Sequence, residues 1–361
     1  MQIGIVGLPF SGKSTLFQTI TKTHLDPTAL TKAVTHQAIV KVPDARLDKL
    51  SSIFSPKKTT NTIIEFVDVV GLKKGESGST QFSTNFLGNV KTNDALVQVV
   101  RLFANDAVPH PDGSIDAVRD ITAFETEFIL SDLSMIENRI DRIQKQMMKK
   151  PEEHLKRELP LLEKCHKILQ TEKPLREAEF LKDQMVILKN YQLLTLKPML
   201  IALNFDESQR GECEQIMKQV TEAKPGKNSR ALSFFGKIEM EVSELSDEEA
   251  GVFMEEYGIR ESALAALIRE SYSLLGLECF FTVGEDECRS WTIKKGMTAQ
   301  EAAGVIHSDF FGNFIRSEVV SYEDFIASNG SFAKVKETGH WRLEGKEYVV
   351  NDGDIISIRH S

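Results

Sequence analysis

A glycine loop follows the first apolar run of this chain and limits the folds that the chain can adopt. Residues 2–6 form a short strand-like run, and Gly7 to Ser14 read Gly-Leu-Pro-Phe-Ser-Gly-Lys-Ser. This order satisfies the G-x-x-x-x-G-K-[ST] pattern of a phosphate-binding loop between a strand and a helix. The glycines permit backbone angles that turn amide groups toward phosphate oxygens, at a helix N-terminus whose dipole favours anions. The pattern therefore predicts an α/β nucleotide-binding domain.

The side chains of this loop have distinct expected roles. Lys13 would reach the β and γ phosphates, and Ser14 would be a ligand of Mg²⁺. The other loop residues that we expect at the nucleotide are Phe10, Ser11, Gly12 and Thr15. The alternative is a plain glycine turn before a helix, but the strand-like run before the loop and the helical run after it favour nucleotide binding.

An acidic strand end further along the chain supports this prediction. Residues 63–68 form an apolar run that ends at Asp68, and Gly71 follows in an Asp-x-x-Gly pattern. Asp68 can hold Mg²⁺ through a water molecule, and the Gly71 amide can bond the γ phosphate and thus sense hydrolysis. Leu72 stands where Ras-type enzymes carry the glutamine that orients the attacking water, so we expect slow hydrolysis or another water-positioning group.

The loop expected to bind the base departs from the guanine-specific pattern. After the apolar run 199–203, Asn204 to Glu207 read Asn-Phe-Asp-Glu, where guanine-specific GTPases carry Asn-Lys-x-Asp. Glu207 is longer than the aspartate that binds guanine, so the guanine clamp is compromised. We expect Asn204 to meet adenine, Phe205 to cover the base, and Ser233 to border it from the next loop. In the alternative, Phe205 packs in the core, Asn204 caps a turn, and the loop at Ser233 is a plain turn.

Together these motifs resemble those of the YchF subfamily of Obg-like ATPases, which belong to the TRAFAC P-loop NTPases. The resemblance extends over the motifs above and over residues 42–47, 56–58, 99–101 and much of the C-terminal region. It implies a Ras-like P-loop NTPase domain, Mg²⁺ as cofactor, ATP preferred over GTP as substrate, and a hydrophobic residue in place of the catalytic glutamine. A GTP-specific enzyme and a hydrolysis-poor, nucleotide-dependent ribosome or RNA adaptor are the alternative functions.

The chain also departs from the subfamily pattern. Phe10 and Ser11 replace an asparagine and a valine, and that asparagine helps to coordinate K⁺ in potassium-dependent relatives. Potassium activation is therefore not expected. The glycine-rich stretch after the second switch is altered at residues 76–81, and Thr31 and Thr35 are equal candidates for the switch threonine that binds Mg²⁺. These departures are compatible with a divergent paralogue of reduced or redirected activity.

A strongly helical region interrupts the alternation of strands and helices. Apolar residues recur at steps of three and four in two stretches on either side of Pro151, which predicts an antiparallel coiled-coil hairpin. The predicted seam residues are Leu133, Ile136, Ile140, Ile143, Met147, Leu155, Leu159, Leu162, His166 and Leu169. Pro160 should interrupt or kink the return helix. Residues 139–167 carry nine Lys and Arg against five Asp and Glu, which fits either RNA or ribosome contact or an ordinary solvated face.

The C-terminal region has the pattern of a small mixed domain. It contains strand-like runs near 279–282, 290–293, 348–350 and 355–358, a helical run near 298–306 and a turn signal at 351–354 that predicts a hairpin. Residues 306–310, 314–316 and 352–354 resemble the signature of the TGS domain, a β-grasp module. That resemblance implies binding to RNA or to a protein of the translation machinery.

The domain organisation and the cellular setting follow from these patterns. We expect a P-loop NTPase domain at 1–120 and 195–277, an inserted helical domain at 121–194, and a TGS-like domain at 278–361. The strands of the first sheet are expected near residues 2–6, 38–42, 63–67, 95–100, 199–203 and 231–233. The net charge of −9 restricts any RNA contact to a local basic face. Because the chain has no long apolar run and its four cysteines have no zinc-binding spacing, we expect a cytoplasmic protein with reduced thiols and no membrane partner.

Overall fold

The computed structural model of the 361-residue chain divides into two compact units. The N-terminal unit comprises Met1–Ile39 and Glu65–Leu267, and the C-terminal unit comprises Val40–Ile64 and Ile268–Ser361. The structure describes residues 1–22, 36–69, 82–223, 226, 229–256 and 262–361.

Strands and helices alternate along most of the chain. The strands are β1 (Gln2–Val6), β2 (His36–Lys41), β3 (Lys58–Thr60), β4 (Ile63–Asp68), β5 (Ala95–Arg101), β6 (Met199–Asn204), β7 (Ser229–Phe234), β8 (Leu277–Thr282), β9 (Glu287–Lys294), β10 (Phe314–Ser321), β11 (Arg342–Glu344) and β12 (Asp354–His360). The helices are α1 (Lys13–Thr21), α2 (Ala45–Phe54), α3 (Thr84–Lys91), α4 (Ala117–Lys149), α5 (Glu153–Gln170), α6 (Lys182–Lys189), α7 (Cys213–Ala223), α8 (Gly236–Ser243), α9 (Asp247–Glu256), α10 (Ala263–Leu274), α11 (Ala299–Ile306), α12 (Ser308–Gly312), α13 (Tyr322–Ala327) and α14 (Phe332–Glu337).

The N-terminal unit is built on a six-stranded sheet in the order β2-β4-β1-β5-β6-β7. The pairings from β4 through β7 are parallel, and β5 and β6 are buried along their whole length. Continuous apolar runs of this kind form parallel strands that are covered on both faces. The predicted α/β sheet is therefore confirmed, with strand bounds shifted by one or two residues. The carboxyl ends of its parallel strands share one edge, where ligands of such sheets bind.

A cluster of phenylalanines packs the helices onto this sheet. It joins Val6, Leu96 and Met199 of the strands to α3 and α4, and it contains Phe82, Phe86, Phe124 and Phe128. The rings of Phe82 and Phe124 lie 4.6 Å apart between centroids. Fully burying such a side chain stabilises a fold by about 1.5–3 kcal/mol. The first turns of α4 are thereby held against the strands that carry the nucleotide loops.

The inserted region is the predicted helical hairpin. Its seam contains Ile136 and Ile143 of α4 and Leu155, Leu162 and Leu169 of α5, all buried. The predicted seam position His166 is instead partly exposed and bonds Glu137 at 2.9 Å. Pro160 lies inside α5, and the helix continues past it to Gln170, so the expected interruption does not occur. No helix among the described residues is both long and apolar enough to span a membrane.

A buried carboxylate fixes the return of the insert to the sheet. Asp132 of α4 is completely buried and accepts hydrogen bonds from the Leu194 and Thr195 amides and from the Thr195 hydroxyl, at 3.0, 2.8 and 2.6 Å. Burial raises the pKa of Asp132, and these donors oppose that shift. Because they satisfy the carboxylate just before β6, α4 is tied to the strand that leads to Asn204.

The C-terminal unit contains a second six-stranded sheet, in the order β11-β10-β12-β8-β9-β3. Here the predicted hairpin at 351–354 is wrong, because β12 pairs with β10 and β8, and residues 348–350 form only an isolated bridge between Val349 and Thr298. The physical reason is that the backbone before the turn bonds to residues at the start of α11: the Val350 amide donates to the Met297 carbonyl at 3.0 Å, and the Tyr348 carbonyl accepts from the Ala299 amide at 2.7 Å. The four cysteines of the chain are free thiols, as expected.

A segment that lies in sequence between β2 and β4 of the first sheet belongs to the C-terminal unit. Within Val40–Ile64, β3 pairs in parallel with β9, and Leu47 and Leu50 of α2 pack in the same hydrophobic cluster as Phe281. This membership was not predicted from the sequence. The division into domains at 1–120 with 195–277, 121–194 and 278–361 stays a proposal.

Candidate functional site

The glycine loop lies at the carboxyl end of β1, directly before α1. Gly7 has φ 148° and Gly12 has φ 98°, and Gly12 caps the helix in the left-handed region. A β-carbon at Gly7 would overlap the Val99 carbonyl oxygen, and one at Gly12 would overlap the Asn204 amide nitrogen. Both positions therefore require glycine, and the first amides of α1 face the space beyond the helix without intrahelical partners.

Lys13 is held in a position from which it can turn to a phosphate. Its ammonium donates to the Leu8 carbonyl at 2.8 Å, inside the loop. Burial lowers the pKa of Lys13 to about 8, although the attraction of Asp68 opposes the shift. A buried ammonium with so few partners is energetically costly, so an anionic ligand is the natural complement.

Ser14 and Asp68 come together although they are far apart in the sequence. The Ser14 hydroxyl donates to Asp68 Oδ2 at 3.3 Å, and Asp68 is 2% exposed at the end of β4. Asp68 Oδ1 has no hydrogen-bond partner among the described residues. Burial raises the pKa of Asp68, while Lys13 and Ser14 act in the opposite direction. A hydroxyl beside a carboxylate with an unused oxygen is the donor set that Mg²⁺ takes in phosphate sites, so these residues fit the ion.

Asn204 connects three loops at this edge of the sheet. Its side-chain nitrogen donates to the Ser11 carbonyl at 3.1 Å, and its oxygen accepts from the Gly236 amide at 3.1 Å. The side chain is buried, and both ends of the amide already serve the protein backbone. In this structure the Asn204 side chain thus links the phosphate loop to the loop after β7, and its contact with adenine stays a prediction.

Phe205 lies in the hydrophobic core and is 3% exposed, instead of covering the base as we expected. It shares a cluster with Ile201 and Leu203, the residues two and four positions earlier. Successive side chains of a strand point to opposite faces, and the Phe205 amide extends the ladder by donating to the Phe234 carbonyl at 2.9 Å. The Asn204 and Phe205 side chains therefore point to opposite faces of the sheet.

The remaining predicted site residues differ in exposure. Phe10 is 62% exposed and has φ 62°, which is strained for an aromatic residue, whereas Ser11 is buried behind it. Glu207 is exposed at the start of a short 3₁₀ turn that Asp206 caps. The half-buried positions are Thr15 and Ser233. Gly71, Leu72, Thr31, Thr35 and the altered stretch 76–81 lie outside the described residues.

Two residues at the end of β5 were not singled out as site residues by sequence reasoning. Arg101 is 3% exposed and donates to the carbonyls of Phe103 and Val108 at 3.0 and 2.8 Å, and its guanidinium lies 4.6 Å from the centre of the Phe103 ring. Burial lowers the pKa of Arg101. The Leu102 amide donates to the Asn204 carbonyl at 2.9 Å, so Phe103 follows directly on the strand pair that carries Asn204. The available signal was an arginine that ends a mostly apolar run, residues 95–101.

The chain is similar to known proteins along almost its whole length. Residues 2–130 match the family described as 50S ribosome-binding GTPase, and residues 277–361 match the YchF GTPase C-terminal family, described as a protein of unknown function. The ribosome-binding ATPase YchF of Bacillus subtilis is 43% identical over 99% of this chain and 98% of its own length. The protein of the same name from Haemophilus influenzae is 40% identical, with the same coverage of both chains. The solved structure of the Schizosaccharomyces pombe YchF GTPase has a TM-score of 0.85 and 31% identity, covering 99% of this chain and 97% of that one.

Proposed function

Because the chain belongs to the YchF family of P-loop NTPases, we propose that it is a Mg²⁺-dependent ATPase whose nucleotide state controls binding to the ribosome. The main support for this proposal is that Lys13, Ser14 and Asp68 lie together beside the amides of the glycine loop. The bacterial relatives are named ribosome-binding ATPases, which supports both the substrate and the partner.

The chain's own residues divide the work at the phosphates. When ATP binds, the Lys13 ammonium leaves the Leu8 carbonyl and bonds the β and γ phosphate oxygens. Its positive charge then stabilises the negative charge that develops on these oxygens during phosphoryl transfer. Ser14 would be a ligand of Mg²⁺ and Asp68 would hold the ion through a water molecule, and the bound ion would neutralise phosphate charge. The loop residues Phe10, Ser11, Gly12 and Thr15 complete the phosphate cradle, and the Gly71 amide senses the γ phosphate.

The base end supports adenine because Glu207 replaces the guanine-binding aspartate and is exposed. Phe103 offers an aromatic face at the same edge of the sheet, so we assign the base cover to Phe103 and keep Ser233 as a border of the pocket.

Replacing Lys13 tests the proposal most directly. We expect Lys13→Ala to lower the ATPase kcat about 100-fold or more, because it removes a preorganised charge from the transferring phosphoryl group. Lys218→Ala, on the exposed side of α7, removes the same charge elsewhere and should leave turnover unchanged. Equal turnover of wild type and Lys13→Ala would remove Lys13 from the mechanism.

A GTPase is the second candidate function, because Asn204 is retained and the fission-yeast relative is named a GTPase. Calorimetric titration of the protein with ATP and GTP separates the two, and tighter binding of GTP would defeat the argument from Glu207. A hydrolysis-poor adaptor is the third, motivated by Leu72 in place of the catalytic glutamine. Single-turnover hydrolysis no faster than the uncatalysed reaction, together with tight nucleotide binding, would establish the adaptor.

The proposed partner is the ribosome, contacted in the cytoplasm through the helical hairpin and the TGS-like domain. Cosedimentation of the purified protein with bacterial ribosomes, in the presence of ATP, ADP or no nucleotide, measures this interaction. We expect the bound fraction to depend on the nucleotide, whereas equal binding in the three states would separate ribosome binding from the ATPase.

A further inference from the structure

The outer surface of α4 carries a line of basic residues that the fold leaves uncompensated. Arg142, Lys145 and Lys149 follow each other at steps of three and four, which places them on one side of the helix. The buried residues Ile136 and Ile143 lie on the side that packs against α5, roughly opposite this line. We name Arg142, Lys145 and Lys149 the α4 basic stripe.

The packing of the hairpin engages four of the other basic residues of the insert, whereas Arg157 and Lys167 of α5 are exposed like the stripe. Arg139 is turned inward and bonds Glu158 at 2.6 Å, and Lys164 donates to the Glu179 carbonyl and lies over the Phe180 ring. At the tip, Lys150 and Lys156 pair with Glu152 and Glu153 on the α5 side. Among the described residues, no ion pair reaches Arg142, Lys145 or Lys149, and all three side chains are exposed.

The charge of the tip contrasts with the charge of the whole chain. Residues 142–157 carry six Lys and Arg against two Glu, a net charge of +4, whereas the other 345 residues together carry −13. A polyanion is repelled by the protein as a whole and attracted to this segment. The single acid on α4 between 138 and 150 is Asp141, so the field along the stripe is positive.

We propose that the α4 basic stripe binds the phosphate backbone of ribosomal RNA and is the main electrostatic contact of this chain with the ribosome. The inference rests on the proposed ribosomal partner and names the surface that meets it. With a rise of 1.5 Å per residue, Arg142 and Lys149 lie about 10 Å apart along the helix, a length that spans a few phosphates of a nucleic-acid strand.

The chemistry of the stripe favours RNA over a protein partner. Protein interfaces are centred on desolvated aromatic or apolar anchors, whereas the three side chains of the stripe are charged and the apolar Met148 beside them is 86% exposed. Phosphate backbones are bound by lines of point charges whose contacts carry no sequence information. The stripe therefore provides affinity and orientation, and it leaves sequence reading to other parts of the complex.

The test compares two triple variants of the full-length protein that remove the same charge. R142Q/K145Q/K149Q removes the stripe with residues of good helix propensity, and K173Q/K182Q/K189Q removes three exposed lysines from the same insert. Binding to bacterial ribosomes and to a fluorescent ribosomal RNA fragment is measured from low to high salt, beside the basal ATPase. We expect the stripe variant to bind both at least tenfold more weakly at low salt, with a salt slope smaller by about 2 to 3. The control variant should match the wild type, and basal ATPase should be unchanged in both.

The other outcomes overturn the proposal in distinguishable ways. A wild-type protein that binds neither ribosomes nor the RNA fragment would remove the ribosomal partner and the stripe together. Wild-type binding that the stripe variant retains would leave the partner intact and remove the stripe. Equal losses in both triple variants would show a general charge effect, and a loss on ribosomes but not on RNA would assign the stripe to a ribosomal protein.

Discussion

The phosphate end and the base end of the nucleotide site obtain their geometry from different sources. At the phosphate end, the geometry comes from one short loop, which requires glycine at positions of positive φ and a helix directly after it. Both requirements can be read from the sequence of the loop. At the base end, the surface is assembled from the ends of β5, β6 and β7, and hydrogen bonds between loops decide which side chains are available. At the phosphate end, the sequence motif is therefore sufficient to assign chemical roles. At the base end, roles can be assigned only when the hydrogen bonds between the loops are known.

Phe205 is the residue at which the difference between the two ends can be tested with the largest change in stability. If this ring belongs to the core, Phe205→Ala should lower the free energy of unfolding by about 3–5 kcal/mol and leave the ratio of ATP to GTP affinity unchanged. Phe205→Leu should cost less than about 1.5 kcal/mol. Chemical denaturation and calorimetric titration measure the two quantities. A folded Phe205→Ala protein of normal stability that loses ATP selectively would return this ring to the base pocket.

A second test separates positioning from recognition at Asn204. Asn204→Ala leaves the Ser11 carbonyl and the Gly236 amide without their partner, so we expect a loss of about 2 kcal/mol in unfolding free energy. Because the change loosens the phosphate loop, ATP and GTP affinities should fall by a similar factor. The exposed control Asn138→Ala, on α4, should change neither quantity. A loss confined to ATP would show that Asn204 reads adenine directly.

Residue patterns in the sequence predict some parts of the molecule and not others. The glycine loop, the Asp68 strand end, the parallel sheet and the hairpin were predicted because each depends on local periodicity or spacing. The position of Phe205 was also present in the pattern, since Ile201, Leu203 and Phe205 alternate as one buried face. The pairing of β3 with β9 was not predictable, because a three-residue strand bonds to a partner more than 200 residues away.

Phe103 provides a sharper test of the base end. If its ring stacks on adenine, Phe103→Ala should weaken ATP binding about tenfold, in the range of one base–aromatic stack, and spare the binding of inorganic tripolyphosphate. The contrast between the two ligands isolates the base from the phosphates. Phe311→Ala, at an exposed aromatic position of the C-terminal unit, is the control. Unchanged ATP affinity in Phe103→Ala would place the base elsewhere.

The smallest expected effect is a pH dependence at the phosphate end. Because burial lowers the pKa of Lys13 from 10.5 to about 8, the nucleotide-free protein loses this charge as the pH rises through 8. Below about pH 8, Lys13 is charged in the folded and the unfolded protein, and burying the charge lowers the free energy of unfolding. Between pH 8 and 10.5 the folded protein has lost this proton and the unfolded protein has kept it, so the free energy of unfolding rises with pH in this range.

ATP binding requires the protonated form, so the ATP dissociation constant should rise by up to about tenfold between pH 7 and 9. Lys13→Met, which cannot titrate, should bind weakly and show no such rise, which separates Lys13 from the titration of ATP itself. Calorimetric titrations of both proteins at fixed free Mg²⁺ measure the difference. If the ATP dissociation constant of the wild type changed as little between pH 7 and 9 as that of Lys13→Met, Lys13 would have an ordinary pKa. The phosphate end would then lack the buried charge that we assign to it.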